Sequence, residues 1–299
     1  MLRKKVIIIA GPTAAGKTAL AIDLALHLNT TIISADSRQC FRELNIGVAK
    51  PTPEELQRVK HEFINSHSIH DEVNAARFEE LSLNWAEDIF KTHDVVVVVG
   101  GTGLYIKAFC EGLDAVPPAD EQLRIEIKEQ YEQYGISWLQ EQIRQRDPEF
   151  HLAGETRNPQ RMMRALEVKE STGRSILSFH GEAMKTRPFQ ILYFGLQLTR
   201  AVLNERINER VDTMMQKGLL EEVKSLVPFR NLNALQTVGY TELFEHLAGN
   251  IGLDEAVARI KQNTRHYAKR QMTWFKKNPA MYWLEKDPLR TILEHYQSA

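Results

Sequence analysis

Residues 6–18 read Val-Ile-Ile-Ile-Ala-Gly-Pro-Thr-Ala-Ala-Gly-Lys-Thr, and this stretch restricts the fold more than any other. Val6–Ala10 is a continuous apolar run rich in β-branched residues, so it reads as a strand buried on both faces of a parallel sheet. The next eight residues, Gly11, Pro12, Thr13, Ala14, Ala15, Gly16, Lys17 and Thr18, fit the pattern G-x-x-x-x-G-K-[ST]. Thr18–Leu28 then has helical spacing. A strand, a glycine loop and a helix in this order form a phosphate-binding corner. The glycines let backbone N–H groups turn inward around phosphate oxygens, and the helix N-terminus favours anions. Lys17 neutralises phosphate charge, and the Thr18 hydroxyl can hold Mg²⁺. The motif names a diphosphate or triphosphate and leaves the reaction open.

The same rhythm continues. Thr31–Ala35 reads as a strand, Ala76–Lys91 as a helix and the five valines Val95–Val99 as another buried strand. From 117 to 187 there is no strand signal. Glu121–Tyr134, Ser137–Arg146 and Pro159–Ser171 read as helices, the last with Asn158 as N-cap, Pro159 at the first position and Gly173 at its end. Ile191–Leu198 returns to strand character, Thr199–Leu226 and Leu253–Lys277 read as long helices, and Met281–Leu284 as a last strand. The expected fold is α/β: a P-loop-containing doubly wound parallel sheet, residues 1–116 and 188–299, interrupted by a helical insertion subdomain, 117–187.

In such sheets ligands bind beyond the carboxyl ends of the strands. Three loops occupy those ends: Gly11–Thr18, Ser34–Gln39 and Gly100–Tyr105. Asp36 is thereby placed near whatever Lys17 holds, as a general base, as a metal holder, or as the cap of its own turn. Thr102 either donates to a ligand or caps the helix it precedes. The valine strand ends in Gly-Gly-Thr, without the carboxylate of a Walker-B strand, which weakens a plain ATPase reading.

Composition narrows the partners. The net charge is −1, so any binding of nucleic acid must come from a local patch. One candidate is the helix ending near Lys277. From Val257 onward it carries Arg259, Lys261, Arg265, Lys269, Arg270, Lys276 and Lys277 with no Asp or Glu. Leu253, Val257, Ile260, Tyr267 and Phe275 form its apolar stripe, and Lys261, Arg265, Lys269 and Lys276 lie to one side. Such a basic stripe suits an RNA backbone. Trp274 reads as core rather than as a base-stacking platform. Cys40 and Cys110 are far apart and make no CxxC pair, which argues against a disulfide framework or a zinc site. No apolar run approaches the roughly 18 residues of a membrane span, and the apolar start is too short for a signal segment. The expected location is cytoplasmic, with no membrane partner.

The chain also resembles tRNA dimethylallyltransferases (tRNA isopentenyltransferases) over nearly its whole length. The resemblance rests on Gly11–Thr18, Ser34-Ala-Asp-Ser-Arg-Gln39, Ile46-Gly-Val-Ala-Lys-Pro51, Gly100-Gly-Thr-Gly-Leu-Tyr105, Asn158-Pro-Gln-Arg161 with Arg164-Ala-Leu-Glu167, Val238-Gly-Tyr240, and Lys269-Arg-Gln-Met-Thr-Trp-Phe275. Phe41 stands where the family often has Tyr, and Val48 where it often has Thr. The zinc finger of eukaryotic relatives is missing, which implies a bacterial type.

The resemblance implies transfer of a dimethylallyl group from its diphosphate to the exocyclic amine of the adenosine immediately 3′ of the anticodon. The P-loop, Thr13, Lys17 and a Mg²⁺ near Thr18 would then hold the donor's diphosphate, with Arg210 as an additional clamp. Asp36 would be the base. Ser37, Arg38, Gln39, Thr102, Arg124, Pro159, Gln160, Arg161, Met162 and Met163 would contact the tRNA anticodon loop, with Arg157, Arg164 and Lys169 as further candidates. The expected enzyme is a monomer. The competing readings are a P-loop small-molecule or nucleotide kinase and a non-catalytic RNA-binding protein.

Overall fold

A computed structural model of the chain describes residues 4–118, 120–181 and 185–299. The start of the chain through residue 3, read above for a signal segment, lies outside them.

The chain opens with β1 (Lys5–Ala10), α1 (Lys17–His27), β2 (Ile32–Ala35), α2 (Pro53–Arg58), β3 (His61–Glu62), α3 (Ala75–Phe90), β4 (Val95–Gly100) and α4 (Gly103–Glu111). Three helices follow: α5 (Glu121–Arg146), α6 (Pro148–Ala153) and α7 (Pro159–Thr172). The sheet resumes with β5 (Gln190–Leu196), then α8 (Arg200–Gln216), α9 (Leu219–Ser225), α10 (Tyr240–Leu247), α11 (Leu253–Phe275), β6 (Met281–Leu284) and α12 (Pro288–Ser298). The chain divides into two compact units, Met1–Glu111 with Thr186–Ala299, and Gly112–Lys185.

The first unit holds one six-stranded sheet in the order β3-β2-β4-β1-β5-β6, with every pairing parallel. The register aligns Ala10 with Gly100 on one side and with Gly195 on the other, and Ala35 with Gly100. The strand ends that carry the three ligand loops are therefore level. Ile7, Ile9, Val95, Val97 and Val99 pack on Leu20, Ile22 and Leu24 of α1 and Ile292 of α12. The alternate residues Val6, Ile8, Val96 and Val98 are just as buried, so both faces of the central strands are covered. This is why these strands are apolar runs without alternation.

Two sequence expectations change here. The long helix expected over Thr199–Leu226 is two helices, because Gly218 adopts a left-handed conformation (φ 95°) and N-caps α9. The chain also contains α2, which the apolar pattern does not mark because none of its residues is buried. Its start is encoded by a capping box between Thr52 and Glu55, behind Pro53.

The second unit is helical in its described residues. Gly135, with φ 74° and ψ −169°, breaks α5 between the two segments read from sequence. Ile127, Leu139, Ile143, Phe150, Met162 and Leu166 form its core. Asn158 accepts the Arg161 N–H, and Gly173 closes α7 in a left-handed conformation.

Candidate active site

The P-loop spans β1 to α1. Gly16 sits at φ 93° as the N-cap of α1, a conformation that disfavours any side chain, and Ala14 also has positive φ (64°). This geometry holds the loop open around a pocket of about 270 Å³. Thr13, Lys17, Thr18 and Arg210 line one side, and Asp36, Gln39 and Tyr267 also line it. Val48, Ala49, Pro51, Ile64 and Val99 add an apolar lining.

The cationic side is drawn together from two elements. Arg210 of α8 donates from Nη1 to Thr13 Oγ1 at 3.1 Å. Lys17 Nζ donates to the Pro12 carbonyl at 2.7 Å. Burial lowers the Lys17 pKa to about 8; Asp36 opposes that shift and Arg210 adds to it. Burial also pulls Arg210 below its ordinary value, against Asp36. Two cations kept in a dry pocket at the cost of their own solvation form a site for an anion. The Thr18 hydroxyl has no hydrogen-bond partner among the described residues and lies on the same wall.

Asp36 caps its own turn and keeps one oxygen for other work. Oδ1 accepts the N–H groups of Arg38 (2.9 Å) and Gln39 (3.3 Å). Oδ2 takes no hydrogen bond from the described residues. Of the three alternatives open in sequence, the structure shows the turn cap. Thr102 Oγ1 accepts the Ser37 N–H at 3.1 Å and donates to Ser37 Oγ at 3.4 Å. It thus ties the third loop to the second. Burial raises the Tyr267 pKa to about 12, with Asp36 adding to the shift.

Sequence reasoning missed three residues, two that tie loops together and one that lines the pocket. Gln271 of α11 accepts the Thr13 N–H through Oε1 (2.9 Å) and donates from Nε2 to the Gly101 carbonyl (2.8 Å). One buried amide thus joins the P-loop to the end of β4. Its signal was legible, as a lone polar residue three past Ala268 and four before Phe275 on a buried stripe. Glu222 of α9 accepts the N–H groups of Asn45, Ile46 and Gly47 and the Tyr240 hydroxyl. That network joins the Ile46–Pro51 and Val238–Tyr240 motifs, and no local pattern announces it. His61 lines the pocket, with Nδ1 on the Val59 carbonyl (2.9 Å), and its buried Nε2 has no hydrogen-bond partner among the described residues.

The family model for IPP transferase matches residues 39–278. The tRNA dimethylallyltransferase of Cytophaga hutchinsonii is 45% identical over 97% of this chain and 96% of its own length. The chain belongs to the IPP transferase family. The crystal structure of the tRNA isopentenylpyrophosphate transferase from Bacillus halodurans is similar with a TM-score of 0.72 and 34% identity, covering 99% of this chain and 96% of that one. A eukaryotic dimethylallyltransferase captured acting on tRNA has a TM-score of 0.76 at 28% identity, over 94% of this chain and 73% of that one.

Several residues expected at an RNA surface of this family member have other work. Met162 is fully buried in the core of the helical unit and cannot face RNA. The Gln39 amide is spent inside the protein: Oε1 accepts from Ser34 Oγ, and Nε2 donates to the Val48 and Ala49 carbonyls. Gln39 thereby shapes the pocket wall. Arg124 and Arg164 converge on the buried Glu167, and Arg161 pairs with Glu155 at 2.6 Å. Lys169 donates to the Gly173 carbonyl. Arg38 reaches the Asn233 side chain at 3.4 Å, and burial lowers its pKa. Ser37 and Thr102 are half-buried and hydrogen-bonded to each other; Pro159, Gln160 and Met163 are at least partly exposed on α7.

On α11, Leu253 is exposed, and the buried stripe is Ala256, Ile260, Ala268, Gln271 and Phe275. Trp274 is 39% exposed, which overturns its reading as core. Lys261 is neutralised by Asp212 of α8 at 2.6 Å.

Proposed function

We propose that this chain transfers a dimethylallyl group from dimethylallyl diphosphate to the exocyclic amine of the adenosine immediately 3′ of the anticodon in tRNAs, giving N6-isopentenyl-adenosine. The observation that carries this reading is the opposition of Thr13, Lys17 and Arg210 to Asp36 across one pocket with an apolar lining. The shared name of the relatives, tRNA dimethylallyltransferase, supports it.

The donor's diphosphate lies in the P-loop. As the allylic C–O bond breaks, negative charge builds on the leaving group, where the loop amides, Lys17 and Arg210 are preorganised to receive it. Mg²⁺ would add further charge stabilisation there. Thr18 would supply one protein oxygen for it, in keeping with a cation that keeps several waters and takes few protein ligands. Among the described residues no cluster of three His, Cys, Asp or Glu side chains offers a cage. Val48, Ala49 and Ile64 shield the prenyl tail from water.

The attacking amine is a weak nucleophile because its lone pair is delocalised into the purine. It becomes acidic only as the C–N bond forms. Asp36 Oδ2 accepts a hydrogen bond from it and then its proton. The adenosine is extruded from the anticodon loop to reach that oxygen. Ser37 and Thr102 beside Asp36, and Pro159, Gln160 and Met163 of α7, contact the RNA. The enzyme works as a monomer in the cytoplasm, where tRNA is made and used. Among the described residues no helix is long and apolar enough to cross a membrane.

The test is incubation of the full chain with Mg²⁺, dimethylallyl diphosphate and unmodified tRNA carrying adenosine beside the anticodon, followed by mass spectrometry of the nucleosides. A prenylated adenosine is expected. Its absence, together with ATP turnover on a small acceptor, would establish the kinase instead.

A further inference from the structure

Residues 36–52, between β2 and α2, belong to no helix and to no strand of the sheet. Yet Val48, Ala49 and Pro51 of this stretch line the pocket. A wall without backbone ladders takes its position from side chains that arrive from elsewhere. At Ala49 the backbone has φ 49°, a left-handed conformation that an alanine keeps only where its surroundings impose it.

The wall is gripped through both polarities of its backbone. Gln39 Nε2 donates to the Val48 and Ala49 carbonyls at 3.2 and 3.0 Å. Glu222 of α9 fills a run of three consecutive N–H groups just before them. Its Oε2 accepts from Asn45 (3.2 Å) and Ile46 (2.8 Å), and its Oε1 accepts from Gly47 (3.1 Å). Those N–H groups have no other acceptor among the described residues. The Tyr240 hydroxyl donates to the same Oε1 at 2.6 Å and orients the carboxylate. The Tyr240 ring in turn lies against Gly47, where a Cβ would fall 2.5 Å from Cε2. Glu222 itself is not part of the pocket lining, so it acts on a ligand only through the wall it holds.

We propose that Glu222 is a positioning residue that sets the chain length of the prenyl donor: by clasping the backbone of residues 45–47 against Tyr240, it fixes Val48 and Ala49 at the width of a five-carbon tail. This rests on the reading that the chain transfers a dimethylallyl group. The two ends of the donor are held differently. Its diphosphate meets Gly11–Thr18, a loop curved by its own glycines. Its tail meets a wall whose course depends on one carboxylate from another helix. An apolar pocket rejects extra methylenes only as far as its wall refuses to move. Hydrogen bonds from three amides to a carboxylate hold a wall firmly, because an amide pulled away is left without a partner.

The experiment offers the full chain dimethylallyl diphosphate and geranyl diphosphate, its ten-carbon homologue, together with tRNA. Mass spectrometry reads the two prenylated adenosines. Both products come from one reaction, so their ratio is independent of how much of the protein is folded. Glu222→Ala raises the geranyl share about tenfold relative to wild type. The inhibition constant of inorganic pyrophosphate, which meets the P-loop alone, keeps its wild-type value. Glu222→Gln, with one oxygen left for three amides, gives an intermediate ratio. Tyr240→Phe moves the ratio the same way by about twofold.

A wild-type product ratio in Glu222→Ala overturns the assignment, even where total activity and melting temperature fall, because the clasp would then support the fold alone. If Glu222→Ala yields no soluble protein, a wild-type ratio in Glu222→Gln overturns it equally. A shifted ratio matched by an equal rise in the pyrophosphate inhibition constant does so too, since the disturbance would have reached the P-loop. Wild-type protein that forms neither prenylated adenosine would sink the underlying reading, a result distinct from active wild type with insensitive Glu222 variants.

Discussion

In the proposed function the pocket has a donor wall and an acceptor wall, and the two are built in different ways. The donor wall is mostly one contiguous stretch, Gly11–Thr18, whose backbone is set by its own glycines and by the helix it opens. Only Arg210 comes from elsewhere. The acceptor wall is assembled from separate segments: Asp36 just past β2, Gly101 past β4 and Tyr267 on α11. Gln271 binds the two walls to each other. A phosphate can be held by any correctly curved backbone with a cation. A carboxylate that must meet one amine needs a position fixed in three dimensions.

The largest effect expected separates the walls by chemistry. Asp36→Ala lowers kcat for prenyl transfer about 10³-fold, within the range of a lost general base, while filter binding of tRNA persists. Turnover close to wild type would remove Asp36 from the base role. On the other wall, Arg210→Ala lowers kcat/KM for the donor about 10²-fold, and Arg210→Gln fails to restore it because the amide carries no charge. Steady-state kinetics with the donor varied reads this.

Gln271→Leu tests the tie between the walls. It leaves the Thr13 N–H and the Gly101 carbonyl without their partner, at a cost of about 2 kcal/mol in unfolding free energy. Urea denaturation measures that cost. A loss confined to activity, with stability unchanged, would mean that the tie shapes the pocket without supporting the fold.

The smallest effect is a pH dependence on the donor wall. Burial lowers the Lys17 pKa to about 8, so in the free enzyme the amine is charged below that pH and neutral above it. Diphosphate prefers the charged form. The value of kcat/KM for the donor therefore falls about tenfold per pH unit above 8. The profile of kcat stays flat to higher pH, because the bound diphosphate raises the pKa of the lysine that holds it. A kcat/KM profile flat through pH 9 would remove Lys17 from donor binding.

These contrasts explain which residues could be read in advance. Lys17, Thr18 and Thr13 were legible because phosphate binding is a property of a short loop. Asp36 was legible in position, since parallel sheets put ligands at strand ends, but not in state. Only the structure divides its two oxygens between a turn and the cavity. Gln39 is expected at the RNA only through the family resemblance, and the structure shows its amide bonded to the Ser34 hydroxyl and the Val48 and Ala49 carbonyls. Met162 is expected at the RNA only through the family resemblance. The helical phase of α7, fixed by packing against Ile127 and Leu139, turns it inward.

By itself the sequence determined the parallel sheet, the phosphate loop and the level at which ligands bind. Each follows from local rules of backbone curvature, strand burial and helix caps. Tertiary structure alone decided which charges remain free and which polar groups are consumed. Lys261 and Lys269 look alike in one dimension, but Asp212 from α8 meets only the first. Trp274 looks like core until Gly103 seats its ring and leaves its face in water. Pairing and burial depend on what arrives from distant parts of the chain, and a residue's own neighbours in sequence carry no record of that.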